Sequence, residues 1–475
     1  MIHIPALRLG KPYNSLQKAQ LVHHVTGEPV AEVSQVTGSM IARDLSRGPT
    51  SRHELAAIPM RDLIGMYKKA GVYFLTDTLP CGDTQQSFDD YLHCLSATTG
   101  SPLVFCRRNA EKVGYVLSHI DDVLTGLTRG LDVTVLDQGF GQEDGRTISF
   151  FPAADFFGAI LPSNSPGVHS LWAPAVGLKI PVILKPGREE PWTPFRVLQA
   201  LLKAGIPATA LGFYPTDHAG AGDILRLCGR SMLFGDTGTT DPYKNDPRVE
   251  IHGPGFSKVL IGEDQADNWP KYIDVIFECI AANGGRSCIN ASAVWTPKHG
   301  RAIADALAER LAKVTTRPWD DAKAELAAFA NPKVAEAING MVDNGLKTPG
   351  AVDVTEQKRG SPRLVQQGRC AWLLPTIVYC DNWEHSLANK EFLFPFASVI
   401  ECPQEAMLSA IGPSLAVMAL TKDAAFTRAL LECPHVERLN LGPIPTTRLT
   451  WDQPHEGNLF THLWRQRAFQ RAETI

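Results

Sequence analysis

The chain has 475 residues, with 46 Lys or Arg against 50 Asp or Glu, a formal net charge of −4. That balance lacks the basic excess of a nucleic-acid binder, and no apolar run reaches the roughly 18 residues that mark a membrane helix. At about 100–200 residues per domain, two to four folding units are expected.

The 10 cysteines are scattered with no CxxC pair, the pattern of reduced thiols rather than of a disulfide framework or a zinc site. No metal is expected. The first residues carry no charged segment leading into an apolar one, so a cytoplasmic location is expected.

Taken in order, residues 19–34 read as a hairpin around Thr26-Gly27-Glu28-Pro29. Apolar spacing predicts two helices over 40–71, and further helices over 89–98 and 110–127. Residues 130–160 alternate apolar and polar positions around a Gly-rich acidic turn, which predicts a long exposed hairpin suited to pairing with another subunit. Strands are expected at 158–161, 181–185, 208–214, 231–234 and 258–261, with helices at 167–178 and 193–204. Strand–helix–strand units of this length imply a parallel, doubly wound sheet. A second α/β block follows, with helices at 270–283, 300–314 and 321–330 and a surface loop near 340–352.

Five local features could carry chemistry. Cys288, in Gly284-Gly285-Arg286-Ser287-Cys288, follows a glycine pair that lets the backbone turn. Arg286 lies two residues earlier, and a nearby cation lowers a thiol pKa. Asn164 sits between Pro162 and Pro166 after an apolar strand, where its amide could donate to a developing oxyanion. Lys185 and Arg188 form a basic turn at the end of a strand, suited to a nucleotide ribose or phosphate. Glu250 precedes a glycine-containing turn and is a candidate general base if burial raises its pKa. Glu391 opens the apolar segment Glu391-Phe392-Leu393-Phe394-Pro395. Taken singly, each also fits a structural role.

The order and spacing of the five together resemble the aldehyde dehydrogenase superfamily, of which this chain looks like a divergent member. The resemblance runs from the N-terminal hairpin to Asn440 and is strongest over 158–205 and 281–315. It implies an α/β fold of two doubly wound parallel-sheet domains with a bridging β-hairpin for oligomerisation. The nucleotide-binding domain would be 1–130 with 161–262, the hairpin and tail 131–160 with 446–475, and the catalytic domain 263–445.

Residue by residue, the resemblance implies Cys288 as nucleophile, with Asn164 and the Cys288 N–H holding the oxyanion. Glu250 would activate the water that releases a thioester. Lys185 would meet the adenosine ribose and Glu391 the nicotinamide ribose of NAD or NADP. The usual Phe-Thr-Gly-Ser turn is replaced by Phe234-Gly235-Asp236-Thr237-Gly238-Thr239, leaving Thr237 and Gly238 as the candidate pyrophosphate contacts. Asp241-Pro242 and Asp246-Pro247 oppose the helix that normally follows. Leu393 stands where a Phe commonly packs on the nicotinamide. Arg188 stands where an acidic residue often engages the ribose 2′-hydroxyl, which favours NADP.

The expected activity is oxidation of an aldehyde to a carboxylate through a cysteinyl thiohemiacetal and thioester. The alternatives are a coenzyme A-acylating relative or a degenerate, non-catalytic one. A homodimer or homotetramer is expected, and Trp172, Trp451, Phe460 and Trp464 are candidates for a pocket, the core or an interface.

Overall fold

In the computed structural model, residues 1–453 and 456–472 are described. Short apolar segments form the centre of two parallel sheets. Val182–Lys185 is buried at three of its four positions, as a strand covered by helices on both faces must be. It lies between Phe157–Ile160 and Leu211–Phe213, and the parallel order continues outward through Arg230–Phe234 to Val249–His252. Ala6–Arg8 and Lys11–Tyr13 complete this seven-stranded sheet as antiparallel edge strands.

The second seven-stranded sheet runs Ala351–Asp353, Thr376–Cys380, Phe396–Glu401, Ala293–Thr296, Lys258–Ile261, Ser414–Leu420, Val436–Leu441. Only its first strand is antiparallel to its neighbour. Two doubly wound parallel sheets are therefore present, as the resemblance implied. Among the described residues no helix is long and apolar enough to cross a membrane.

Lys18–Val22 and Pro29–Ser34 pair as the expected N-terminal hairpin. Three helices, Gly38–Leu45, Gly48–Ala56 and Met60–Thr76, replace the two expected over 40–71. Pro49 opens the second and Pro59 precedes the third, and neither can donate a backbone hydrogen bond inside a helix. Leu103–Ser118 starts seven residues earlier than expected, directly after Pro102. Residues 167–178 break into short turns at Pro166–Val168, His169–Trp172 and Pro174–Gly177, with Pro174 interrupting the ladder.

Two expectations in the second block are overturned. Residues 321–330 are not helical: Ala328 N–H donates to Gly100 O and Phe329 N–H to Ala371 O, so bonds a helix would satisfy internally go to neighbouring segments. Where a loop was expected near 340–352, Pro332–Leu346 is a helix. Asn331 caps it, Pro332 opens it, and Ala335, Ile338 and Val342 bury one face. Gly340 and Gly345 are carried within it.

The ribbon is shorter than 130–160. Phe140–Glu143 pairs with Arg146–Pro152, while Phe157–Ile160 belongs to the first sheet. Trp464–Arg467 lies antiparallel along Arg146–Pro152 and makes a three-stranded sheet. The last expected tail residues, with 454 and 455, lie outside the described residues.

Candidate active site

Phe157–Ile160, Val182–Lys185, Arg230–Phe234 and Val249–His252 all end at one edge of the first sheet. Ligands of open α/β sheets bind outside such carboxyl ends. A cavity of about 610 Å³ opens there, lined among others by Asn164, Glu189, Phe234, His252, Cys288 and Glu391. A groove of about 1270 Å³ adjoins it through Asn109, Lys112, Ser287, Ile289, Leu449 and Trp451. Of the four aromatic candidates Trp451 lines both spaces, whereas Trp172, Phe460 and Trp464 are buried core residues.

The loop that carries Cys288 follows the helix Ile273–Ala281 and turns through three left-handed residues, Asn283, Gly284 and Gly285. A side chain at Gly285 would collide with the backbone of Phe394 and Pro395. Asn290 holds the turn, accepting from Ser287 N–H at 2.9 Å and donating to Cys279 O at 3.0 Å and Ala282 O at 2.9 Å. The Cys288 carbonyl accepts from Ser257 Oγ at 2.8 Å, and a Cβ on Gly255 would strike that carbonyl. Asn164 Nδ2 donates to Arg286 O at 2.9 Å, which seats its amide against the same turn.

Arg286 does not activate the thiol in the way its position in the sequence suggested. Its guanidinium is buried, donates to Ala327 O at 3.2 Å and Ala328 O at 2.9 Å, and lies over the Phe329 ring. Burial pulls its pKa down to about 10. The Cys288 thiol is instead pushed well above its ordinary range, by burial first and then by the carboxylates of Glu456 and Glu391. The N–H groups of Cys288 and Ile289 act in the opposite direction.

Glu250 and His252 share one face of their strand, as i, i+2 residues must. Glu250 Oε1 is 2.9 Å from His252 Nε2, while His252 Nδ1 is hydrogen-bonded to Glu456. The imidazole stacks on Phe234 with ring centroids 4.5 Å apart. Burial lowers its pKa, but Glu456 and Glu250 outweigh burial and lift it to about 10, so it is an imidazolium at neutral pH. His252, not Glu250, lines the cavity.

Glu391 and the buried Lys258 attract each other without a direct hydrogen bond among the described residues. Glu391 accepts from Gly255 N–H at 3.2 Å and Phe256 N–H at 2.6 Å, and burial raises it to about 7. Lys258 donates to Phe256 O at 2.7 Å and Ser414 Oγ at 3.1 Å, and burial lowers it to about 7. His252, Glu456 and Lys258 were not singled out from the sequence. The i, i+2 spacing of Glu250 and His252 was the available signal.

Lys185 ends its strand half-buried, its ammonium without a hydrogen bond or ion pair among the described residues, and burial lowers its pKa while Glu189 raises it. Arg188 is exposed. Thr237 and Gly238 are also exposed, in the single helical turn Thr237–Thr240. Asp236 caps that turn, accepting from Thr239 N–H at 2.8 Å, so the protein's own carboxylate occupies the helix end. Among the described residues no group of three or more His, Cys, Asp or Glu side chains is arranged for a metal ion.

Two largely parallel sheets and a cysteine loop at the cavity wall set the architecture, and comparison with known proteins gives the class. The family profile described as "Aldehyde dehydrogenase family" matches residues 18–411, and the chain belongs to that family. A mitochondrial aldehyde dehydrogenase of Leishmania tarentolae is 24% identical over 259 residues, 51% of this chain and 50% of that protein. A 5-carboxymethyl-2-hydroxymuconate semialdehyde dehydrogenase of Escherichia coli is 25% identical over 257 residues, 52% of this chain and 54% of that one. The matched region thus spans about half the length of these curated relatives.

The fold likeness is full-length. A 3,6-anhydro-L-galactose dehydrogenase structure in complex with NAP superposes with a TM-score of 0.79 at 15% identity, covering 98% of this chain and 99% of that one. An indole-3-acetaldehyde dehydrogenase complexed with NAD+ gives 0.75 at 16% identity, covering 98% and 96%.

Proposed function

We propose that this chain oxidises an aldehyde with NADP or NAD, using Cys288 Sγ as nucleophile. The observation that carries the proposal is the seating of Cys288 and Asn164 on one turn at the cavity wall, beside the ends of the first sheet's parallel strands. Loss of the Sγ proton to solvent and attack of the thiolate on the carbonyl carbon would form a C–S bond, break the C=O π bond and place negative charge on oxygen. Asn164 Nδ2 and the Cys288 N–H are the donors that suit this charge. The bound nicotinamide would supply the hydride acceptor.

The residues present fit a nicotinamide nucleotide at its two riboses. Lys185, which forms no hydrogen bond through its ammonium among the described residues and is attracted by Glu189, suits the adenosine ribose, and Glu391 in the cavity suits the nicotinamide ribose. Exposed Arg188 close to Lys185 in the chain favours the 2′-phosphate of NADP. Asp236 already caps the turn Thr237–Thr240, so the pyrophosphate would rest on no helix end there. In this scheme the first sheet serves the nucleotide and the second sheet presents the cysteine.

Two fates suit the acyl group. Hydrolysis to the carboxylate needs a base, and Glu250 would have to leave the His252 imidazolium, which cannot itself take a proton, to supply it. Transfer to coenzyme A is favoured by a specific observation: Glu250 is bonded to His252 and does not line the cavity.

The test follows NAD(P)H formation from simple aldehydes with and without coenzyme A. Cys288→Ala is expected to abolish turnover while nucleotide binding by fluorescence titration persists. Turnover retained in that variant would remove the nucleophile assignment. Turnover confined to assays containing coenzyme A would replace hydrolysis by acyl transfer.

A further inference from the structure

The helix Leu103–Ser118 presents Phe105, Arg108, Asn109, Lys112 and Tyr115 to the outer groove. These positions recur every three or four residues, so they form one stripe. Phe105 and Asn109 have evident structural work. Asn109 is buried and donates to Phe105 O at 2.9 Å and to Asn283 Oδ1 at 3.0 Å, bracing the turn that leads to Cys288. Arg108 and Lys112 have none.

Arg108 and Lys112 are like charges at i, i+4, an arrangement that disfavours a helix. Among the described residues neither makes a hydrogen bond or ion pair, whereas Arg107 on the same helix is paired with Asp89 at 2.7 Å. Arg108 and Lys112 are both exposed, and the Lys112 ammonium is pulled below its ordinary range by the protein packed around it first and then by the charge of Arg108. Glu111, Asp122, Glu278 and Asp452 also line the groove, yet none of them forms an ion pair with either cation.

Position gives the pair its meaning. Lys112 lines both the groove and the inner cavity that holds Cys288, and among the described residues it is the one titratable side chain shared by the two linings. A molecule reaching Cys288 with its carbonyl end, and trailing back into the groove, passes this ammonium. The remainder of the shared boundary is Asn109, Ser287, Ile289, Leu449 and Trp451, which would hold an uncharged connecting chain.

We infer that the aldehyde carries an anionic group, carboxylate or phosphate, at the end remote from its carbonyl, and that Lys112 with Arg108 receives it. This rests on the proposed aldehyde oxidation at Cys288 and names the substrate class for that site. A charge-assisted hydrogen bond changes an affinity by about tenfold.

The experiment compares kcat/KM for matched pairs: glutaric semialdehyde against pentanal, and glyceraldehyde 3-phosphate against glyceraldehyde. The native chain is expected to prefer the charged member of at least one pair by about tenfold, the pair identifying carboxylate or phosphate. Lys112→Gln should collapse that ratio mainly through KM, and Arg108→Gln should reduce it. A ratio near one in the native chain, or a ratio untouched by both substitutions, overturns the inference.

Oxidation of none of the four aldehydes would count against the oxidoreductase proposal itself. The anion site is judged separately by titrating glutarate and inorganic phosphate into the Cys288→Ser protein. A Kd for either that Lys112→Gln raises about tenfold supports the site, and the absence of Lys112-dependent binding of both overturns it.

Discussion

The resting thiol of Cys288 is protonated, because burial and two carboxylates, Glu456 and Glu391, all disfavour a second negative charge. Relief of that field should make the sulfur more reactive. Glu391→Gln removes one of the charges, so Cys288 is expected to alkylate several-fold faster with iodoacetamide near pH 7.5, as read by mass spectrometry. An unchanged or slower rate would show that burial alone governs the thiol. The sharp turn before Cys288 was legible in the sequence, since a glycine pair advertises it. The sign of the Cys288 pKa shift was not, because Arg286 is adjacent in sequence but spends its guanidinium on Ala327 and Ala328. His252 was missed for a similar reason. One of its two carboxylate partners, Glu456, lies 204 residues away.

At the scale of elements, His252 fastens the strand Val249–His252 to the segment that contains Glu456. An imidazole whose folded pKa is raised from 6.5 to about 10 contributes stability that is fully present below pH 6.5 and lost as pH rises through 10. Glu456→Gln should therefore lower unfolding free energy by on the order of 3 kcal/mol, the scale for breaking a buried pair, at pH 6. That deficit should shrink as pH approaches 10 in urea titrations, and a pH-independent deficit would assign the loss to packing. Element positions were legible where periodicity and punctuation agreed, as in Val182–Lys185 and Trp192–Lys203. They were not legible at 321–330, whose alanine-rich composition favours helix while Gly100, Ala371 and Arg286 claim its backbone. Nor were they at Pro332–Leu346, where two glycines disguised a capped amphipathic helix.

For the whole molecule, the ribbon and the strand Trp464–Arg467 form a three-stranded sheet with two open edges, Phe140–Glu143 and Trp464–Arg467. Open edges invite pairing, so we propose that this sheet joins two copies of the chain. Light scattering behind size exclusion should report at least a dimer, and removal of Trp464–Arg467 with the residues after it should yield monomers. A native monomer at micromolar concentration would refute the bridging role.

The glycines at 255 and 285 carry a consequence for how this centre comes into being. One abuts the cysteine's own carbonyl and the other abuts Phe394 and Pro395, so three chain segments close upon one another like an interlocking joint. No segment can be seated with clearance to spare. The centre is complete only when the loops after Val249–His252, after Ile273–Ala281 and before Phe396–Glu401 are all in place. Damage to any one of the three would extinguish the whole site rather than dim one part of it.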